Sequence, residues 1–116
     1  MTPNNPIRVL LVDDHAVVRA GYRRFLEHSR VMEVVGEAGT SDEAYQMFRL
    51  LKPDVVVMDI SLPGASGIEA ARRMLALDGR ARVLMFSMHA QPALARQALE
   101  AGTIGFLTKD TEPDAH

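Results

Sequence analysis

"DVVVMDI", residues 54–60, sets four consecutive apolar side chains between Asp54 and Asp59. A run this short and this uniformly apolar reads as a strand buried on both faces. That is the habit of parallel sheets covered by helices on each side. The same pattern recurs along the chain. "RVLLV" (8–12) is a continuous aliphatic run that leads straight into Asp13 and Asp14. "MEVVGEA" (32–38), "ARVLMFS" (81–87) and "GFLT" (105–108) supply three further strands.

Helical patterns lie between them. From Ala16 to His28, Val17, Val18, Gly21, Tyr22, Phe25 and Leu26 recur at helical spacing. Thr40 with Glu43 forms a capping box that opens a helix through "DEAYQMFRLL" (42–51), and Pro53 stops it. Ser66 with Glu69 opens a second such helix over "GIEAARRMLAL" (67–77), after the loop "SLPGASG" (61–67). Pro92 suits a first helical turn, and "ALARQALEAG" (93–102) is closed by Gly102. Strands alternating with helices predict a parallel sheet with right-handed crossovers, a doubly wound α/β fold. No repeat or internal linker interrupts the 116 residues, so they read as one domain. After Lys109 only "DTEPDAH" remains, too short for a helix to cover the last strand. The chain therefore reads as part of a longer protein, or as one whose open face a partner covers.

Composition narrows the function. Hydrophobic residues make up 47%, charged residues 24%, and the net charge is −2, an ordinary globular balance that gives no pull toward nucleic acid or anionic membranes. The absence of cysteine excludes disulfides and thiolate metal sites. "MTPNNPIR" lacks the apolar core of a signal peptide, and no stretch approaches the roughly 18 apolar residues of a membrane span. The expectation is a cytoplasmic protein without membrane contact.

The polar residues at the strand ends carry the chemistry. Asp13 and Asp14 follow the first strand, Asp59 ends the third, Ser87 the fourth, and Lys109 follows the fifth. In an open parallel sheet these side chains converge on the carboxyl edge, where doubly wound folds bind ligands. Crowded carboxylates repel, and a hard divalent cation relieves the repulsion. Oxygen donors suit Mg²⁺ or Mn²⁺ better than zinc. A lysine and a hydroxyl beside such an ion are the parts of phosphoryl transfer by positioning and electrostatics.

The set "VDDH", "VVVMDISLPGASG", "LMFSMH" and "GTIGFLTK" resembles the receiver domain of two-component response regulators across nearly the whole chain. "VDDHAVVRAGYRRFLE" and "LTKD" look most like the LuxR-type (NarL/FixJ-like) subfamily. The resemblance implies a flavodoxin-like sheet of order 2-1-3-4-5 and a phosphoacceptor, Asp59, that takes a phosphoryl group from a sensor histidine kinase. It implies that Asp14, Asp59 and the Ser61 backbone carbonyl hold Mg²⁺, with Asp13 acting mainly through water. Lys109 would contact the phosphoryl oxygens, Ser87 would move toward them, and Phe106 would change rotamer. The output would be a C-terminal DNA-binding helix-turn-helix beyond these residues. A homodimer is a further expected partner, through the surface that the fourth helix, fifth strand and last helix make in the family, the last of which this chain lacks. Asp110 follows Lys109 where many receivers have proline, which predicts a trans bond there.

Blander readings stand beside these. Ser87 alone is a turn former, and Phe106 alone is core packing. His15 and His89 read as solvated rim, Met32, Met47, Met58, Met74 and Met85 as core fillers, and Arg23, Arg24, Arg72 and Arg73 as helix surface. Arg19 and Arg23 could also dock a kinase. Two other functions compete: a degenerate receiver acting as an interaction module, and a small Mg²⁺-dependent phosphohydrolase. The second would need an acid two residues past Asp59, where Ser61 stands.

Overall fold

The computed structural model describes residues 5–63, 66–87 and 92–108. Its elements alternate in the expected order: β1 (Ile7–Val12), α1 (Ala16–His28), β2 (Met32–Ala38), α2 (Ser41–Leu51), β3 (Val55–Asp59), α3 (Gly67–Leu77), β4 (Val83–Ser87), α4 (Pro92–Glu100) and β5 (Gly105–Thr108). The strands form one parallel sheet of order β2-β1-β3-β4-β5. The sheet reverses its direction of growth beside β1, between β1 and β3, which is where such folds open a crevice at the carboxyl edge.

Alternate residues of each strand face opposite sides of the sheet. Leu10, Val12, Val56, Met58, Val83 and Met85 share one core with Ala44 and Phe48 of α2, Ile68, Ala71 and Met74 of α3, and Ala98 of α4. Met58, Met74 and Met85 are fully buried, as expected of gap fillers, while Met32 and Met47 are half-buried. On the other side, Val9, Leu11 and Phe86 are buried, and Tyr22 of α1 meets Phe86 with ring centroids 5.1 Å apart. Val57 and Leu84, on that same side, are only half-buried, and Leu107 is exposed.

The helix starts follow their sequence signals. Thr40 Oγ1 accepts from the Glu43 N–H at 3.1 Å, and Glu43 Oε1 reaches back to the Gly39 N–H at 2.7 Å, one residue before the cap. Ser66 Oγ accepts from the Glu69 N–H at 3.2 Å, but Glu69 turns its carboxylate to Arg72 instead of closing a box. Lys52 leaves α2 through the left-handed region, φ 50°, before Pro53. The segment after Lys109, with the expected trans bond to Asp110, lies outside the described residues.

Candidate functional site

The β1–α1 turn and the end of β3 lie side by side at the carboxyl edge of the sheet. Asp13 is fully buried, and Asp59 is 2% exposed. Each turns its Oδ1 onto the backbone N–H two residues on: Asp13 onto His15 at 2.8 Å and Asp59 onto Ser61 at 3.0 Å. Such local bonds fix the carboxylate rotamers. Asp14 is open to solvent beside them. Asp13, Asp14, His15 and Asp59 each offer a ligand atom, and these atoms all lie within 4.8 Å of one another.

The turn is braced from α1. The Arg19 guanidinium donates through Nη1 to the Asp13 carbonyl and through Nε to Glu37 Oε1 at 3.1 Å. Arg23 Nη1 donates to Glu37 Oε2 at 2.5 Å. Burial pushes the Glu37 carboxyl up, but the hydrogen bonds from Arg23 and Arg19 outweigh it and hold the group below its ordinary value. The hydrogen bond to Glu37 in turn raises Arg23 against a smaller desolvation effect. On the far side of the cluster, α3 begins almost against β3. A Cβ on Gly67 would stand 2.2 Å from the Asp59 carbonyl oxygen and 2.8 Å from Met85 Cε, so glycine alone fits there.

Residues 9–115 match the family described as response regulator receiver domain. The chain belongs to that family.

Response regulator UvrY of Escherichia coli strain K12 is 41% identical over 107 residues, covering 92% of this chain and 49% of UvrY. This receiver thus spans about half the length of the curated relatives it matches. A two-component response regulator of the LuxR family from Aurantimonas sp. SI85-9A1 superposes with a TM-score of 0.89 at 49% identity, over 93% of this chain and 77% of that one. The CheX–CheY complex with BeF3 and Mg²⁺ from Borrelia burgdorferi gives 0.84 at 26% identity, over 92% and 81%. The sheet order and the LuxR-type likeness expected from sequence both hold.

Within the receiver, the structure brings Asp13, Asp14 and Asp59 together, with Ser61 immediately beyond. Ser87 ends β4 and is 5% exposed, paired in register with Thr108. Phe106 is half-buried against the core, opposite Met85. Lys109 and His89 lie outside the described residues. Two contacts escaped the sequence reading. His15, taken there as solvated rim, sets Nδ1 3.2 Å from Asp13 Oδ1 and 3.0 Å from Asp14 Oδ1. Its place directly after two acids was the only signal. Arg19 reaches the Asp13 carbonyl from one turn into α1, and nothing in a helical periodicity marks that. The remaining arginines read as surface are partly engaged: Arg73 pairs with Asp42 at 3.2 Å and stacks over the Tyr45 ring at 4.1 Å. No helix among the described residues is long and apolar enough to cross a membrane.

Proposed function

We propose that this receiver is the phosphoacceptor switch of a two-component system, taking a phosphoryl group from a sensor histidine kinase onto Asp59. The observation that carries the reading is the buried Asp59 carboxylate within shared-ligand distance of Asp13 and Asp14. Three carboxylates on one rim form an oxygen donor set that fits a hard divalent cation such as Mg²⁺ or Mn²⁺. Asp13, Asp14, Asp59 and the Ser61 carbonyl would hold it. When bound, the cation offsets negative charge on the entering phosphoryl oxygens.

The Asp59 carboxylate attacks phosphorus, a P–O bond forms, the P–N bond breaks, and the imidazole of the kinase leaves. The chain's own groups position that step. The Ser61 N–H orients Asp59 from behind, and Arg19 holds the turn that carries Asp13 and Asp14. Lys109 is assigned to the phosphoryl oxygens, Ser87 to the hydroxyl that approaches them, and Phe106 to the ring that repacks afterwards. Such a protein catalyses only its own phosphorylation and dephosphorylation.

The exposed face of α1 suits the kinase. Val17 and Phe25 stand open to solvent on one stripe with Gly21, beside the site. Arg19 and Arg23 are bound to Glu37, so that face docks a partner chiefly through apolar contact. Residues 1–116 form the receiver of a longer cytoplasmic regulator whose C-terminal helix-turn-helix binds DNA, and a homodimer is the expected active form. Incubation with acetyl phosphate and Mg²⁺, followed by intact mass, tests the central step. One added phosphoryl group, lost with chelator and in Asp59→Asn, supports it; an unmodified wild type leaves an interaction module.

A further inference from the structure

Asp14 is the exposed acid of the cluster, and it hangs from a buried residue that is held firmly in place. The Asp13 N–H donates to the Ala38 carbonyl at 3.0 Å, its Oδ1 accepts from the His15 N–H at 2.8 Å, and its carbonyl accepts from Arg19 Nη1. The Asp13 carbonyl and the Asp14 nitrogen belong to one planar peptide. The tilt of that plane sets where the Asp14 Cα lies, and so where its carboxylate can point. Arg19 grips the plane by its oxygen.

Arg19 is itself aimed by a carboxylate. Its Nε donates to Glu37 Oε1 at 3.1 Å, and Glu37 stands on β2 opposite Leu11 of β1. Gly39 packs beside the contact: a Cβ there would lie 3.4 Å from Arg19 Nη1 and 3.9 Å from the Asp13 carbonyl oxygen. A planar guanidinium serves two acceptors in fixed directions, a fork that an ammonium does not offer. A positive group beside a cation site is nonetheless a liability, because like charges repel. Glu37 balances Arg19, and its second oxygen takes Arg23, which Glu27 balances in turn at 3.5 Å. The brace therefore grips the peptide without adding net charge.

We propose that Arg19 and Glu37 are a positioning pair for the cation site: Arg19 fixes the peptide that presents Asp14, and Glu37 aims Arg19 and cancels its charge. The inference rests on Asp13, Asp14 and Asp59 holding Mg²⁺, and its test keeps the two ideas apart. Calorimetric titration with MgCl₂ is run on the wild type, Arg19→Gln, Arg19→Lys, Glu37→Gln, Asp14→Asn and Asp54→Ala. The sign decides. Removing a positive charge near a cation site by itself tightens Mg²⁺ binding, whereas losing the grip on the peptide weakens it. The expected result is that Arg19→Gln weakens Mg²⁺ binding by about tenfold, the low end of what groups that orient metal ligands contribute. Arg19→Lys recovers part of that loss through a single bond to the carbonyl. Glu37→Gln also weakens binding, and part of its loss disappears at high salt, where the uncancelled charge of Arg19 is screened. Asp54→Ala, a lost contact at the far end of the sheet, leaves Mg²⁺ affinity unchanged, so lowered stability alone does not produce the effect. With acetyl phosphate, Arg19→Gln needs more Mg²⁺ for half-maximal adduct formation, while the rate at saturating Mg²⁺ stays close to the wild type. Where glutamine prevents folding, Arg19→Lys carries the test, and wild-type affinity in it overturns the positioning role. Arg19→Gln that binds Mg²⁺ as tightly as the wild type or more tightly, while Asp14→Asn still weakens it, overturns that role and leaves the cation site standing. If wild-type Mg²⁺ binding does not depend on Asp14, both ideas fall.

Discussion

Strand β3 is bracketed by two aspartates that sit in opposite conditions. Asp54, just before the strand, is exposed, and its Oδ2 accepts from the Arg8 N–H at 2.8 Å while its own N–H donates to the Arg8 carbonyl at 2.8 Å. It clips β3 to β1. Asp59, the last residue of the strand, is buried among other carboxylates. The amino end of the sheet carries open grooves of about 500 Å³ beside Phe48, Lys52 and Leu77 and of about 430 Å³ beside Asp54, Arg80 and Arg82. A site that accepts a phosphoryl group from another protein is better served by an open rim than by a cavity. The same residue type is a staple at one end and the proposed phosphoacceptor at the other, because parallel topology gathers the carboxyl ends of β1, β3 and β4 around one crevice.

Exchanging one acid at a time breaks this comparison most sharply. Asp59→Asn removes the acceptor oxygen pair and should abolish the phosphoryl adduct seen by intact mass under acetyl phosphate and Mg²⁺. Asp54→Asn should leave it in full. An adduct that survives in Asp59→Asn would falsify the assignment of the acceptor.

The close seating of α3 gives the next largest effect. A methyl on Gly67 meets the backbone of β3 itself, which cannot move without displacing Asp59. Gly67→Ala should destabilise the fold by about 3 kcal/mol, the upper end of overpacking costs, read as a lowered urea midpoint. Gly21→Ala, with nothing near its Cβ, should raise helix stability by roughly 0.5–1 kcal/mol. Equal midpoints for the two variants would refute the close contact. At the amino end, Asp54→Ala should cost about 1 kcal/mol, since water can replace an exposed acceptor for the Arg8 N–H. A loss comparable to that of Gly67→Ala would show that the clip does more than join two strands.

The strands, the helix starts and the three aspartates were legible in the sequence because each depends on local pattern. Apolar runs end where the sheet ends, and Thr40 and Ser66 mark their helices with their own hydroxyls. What escaped depends on where a side chain turns in space. On α1 the sequence offers two adjacent apolar rows, Val18–Tyr22–Leu26 and Val17–Gly21–Phe25, and one sheet face can bury only one. The structure packs the first and exposes Val17 and Phe25. His15 was legible as a neighbour of the acids but not as a ring placed between them. That placement is set by the turn, in which Asp13 captures the His15 N–H.

The smallest expected effect concerns the brace behind the site. Glu37 has its carboxyl value lowered in the folded protein from an ordinary 4.5: burial opposes ionisation, but the bonds from Arg23 and Arg19 prevail. The unfolded chain then binds the proton more readily than the folded one, so ionised Glu37 favours folding. This contribution is fully present above 4.5 and is lost as pH falls from there through the lower folded value. Arg19 and Glu37 are both half-buried, and Arg23 is exposed, so solvent screening keeps the contribution modest. Urea midpoints recorded from neutral pH down through the acid range should therefore fall less steeply in Glu37→Gln than in the wild type, with the two curves converging at the acid end. Asp54 is no part of this pair, and Asp54→Ala should leave the difference between the curves unchanged. Parallel curves for Glu37→Gln and the wild type would mean that the arginines hold the Asp13 turn without help from the charge on Glu37. The brace would then be a matter of hydrogen-bond geometry alone.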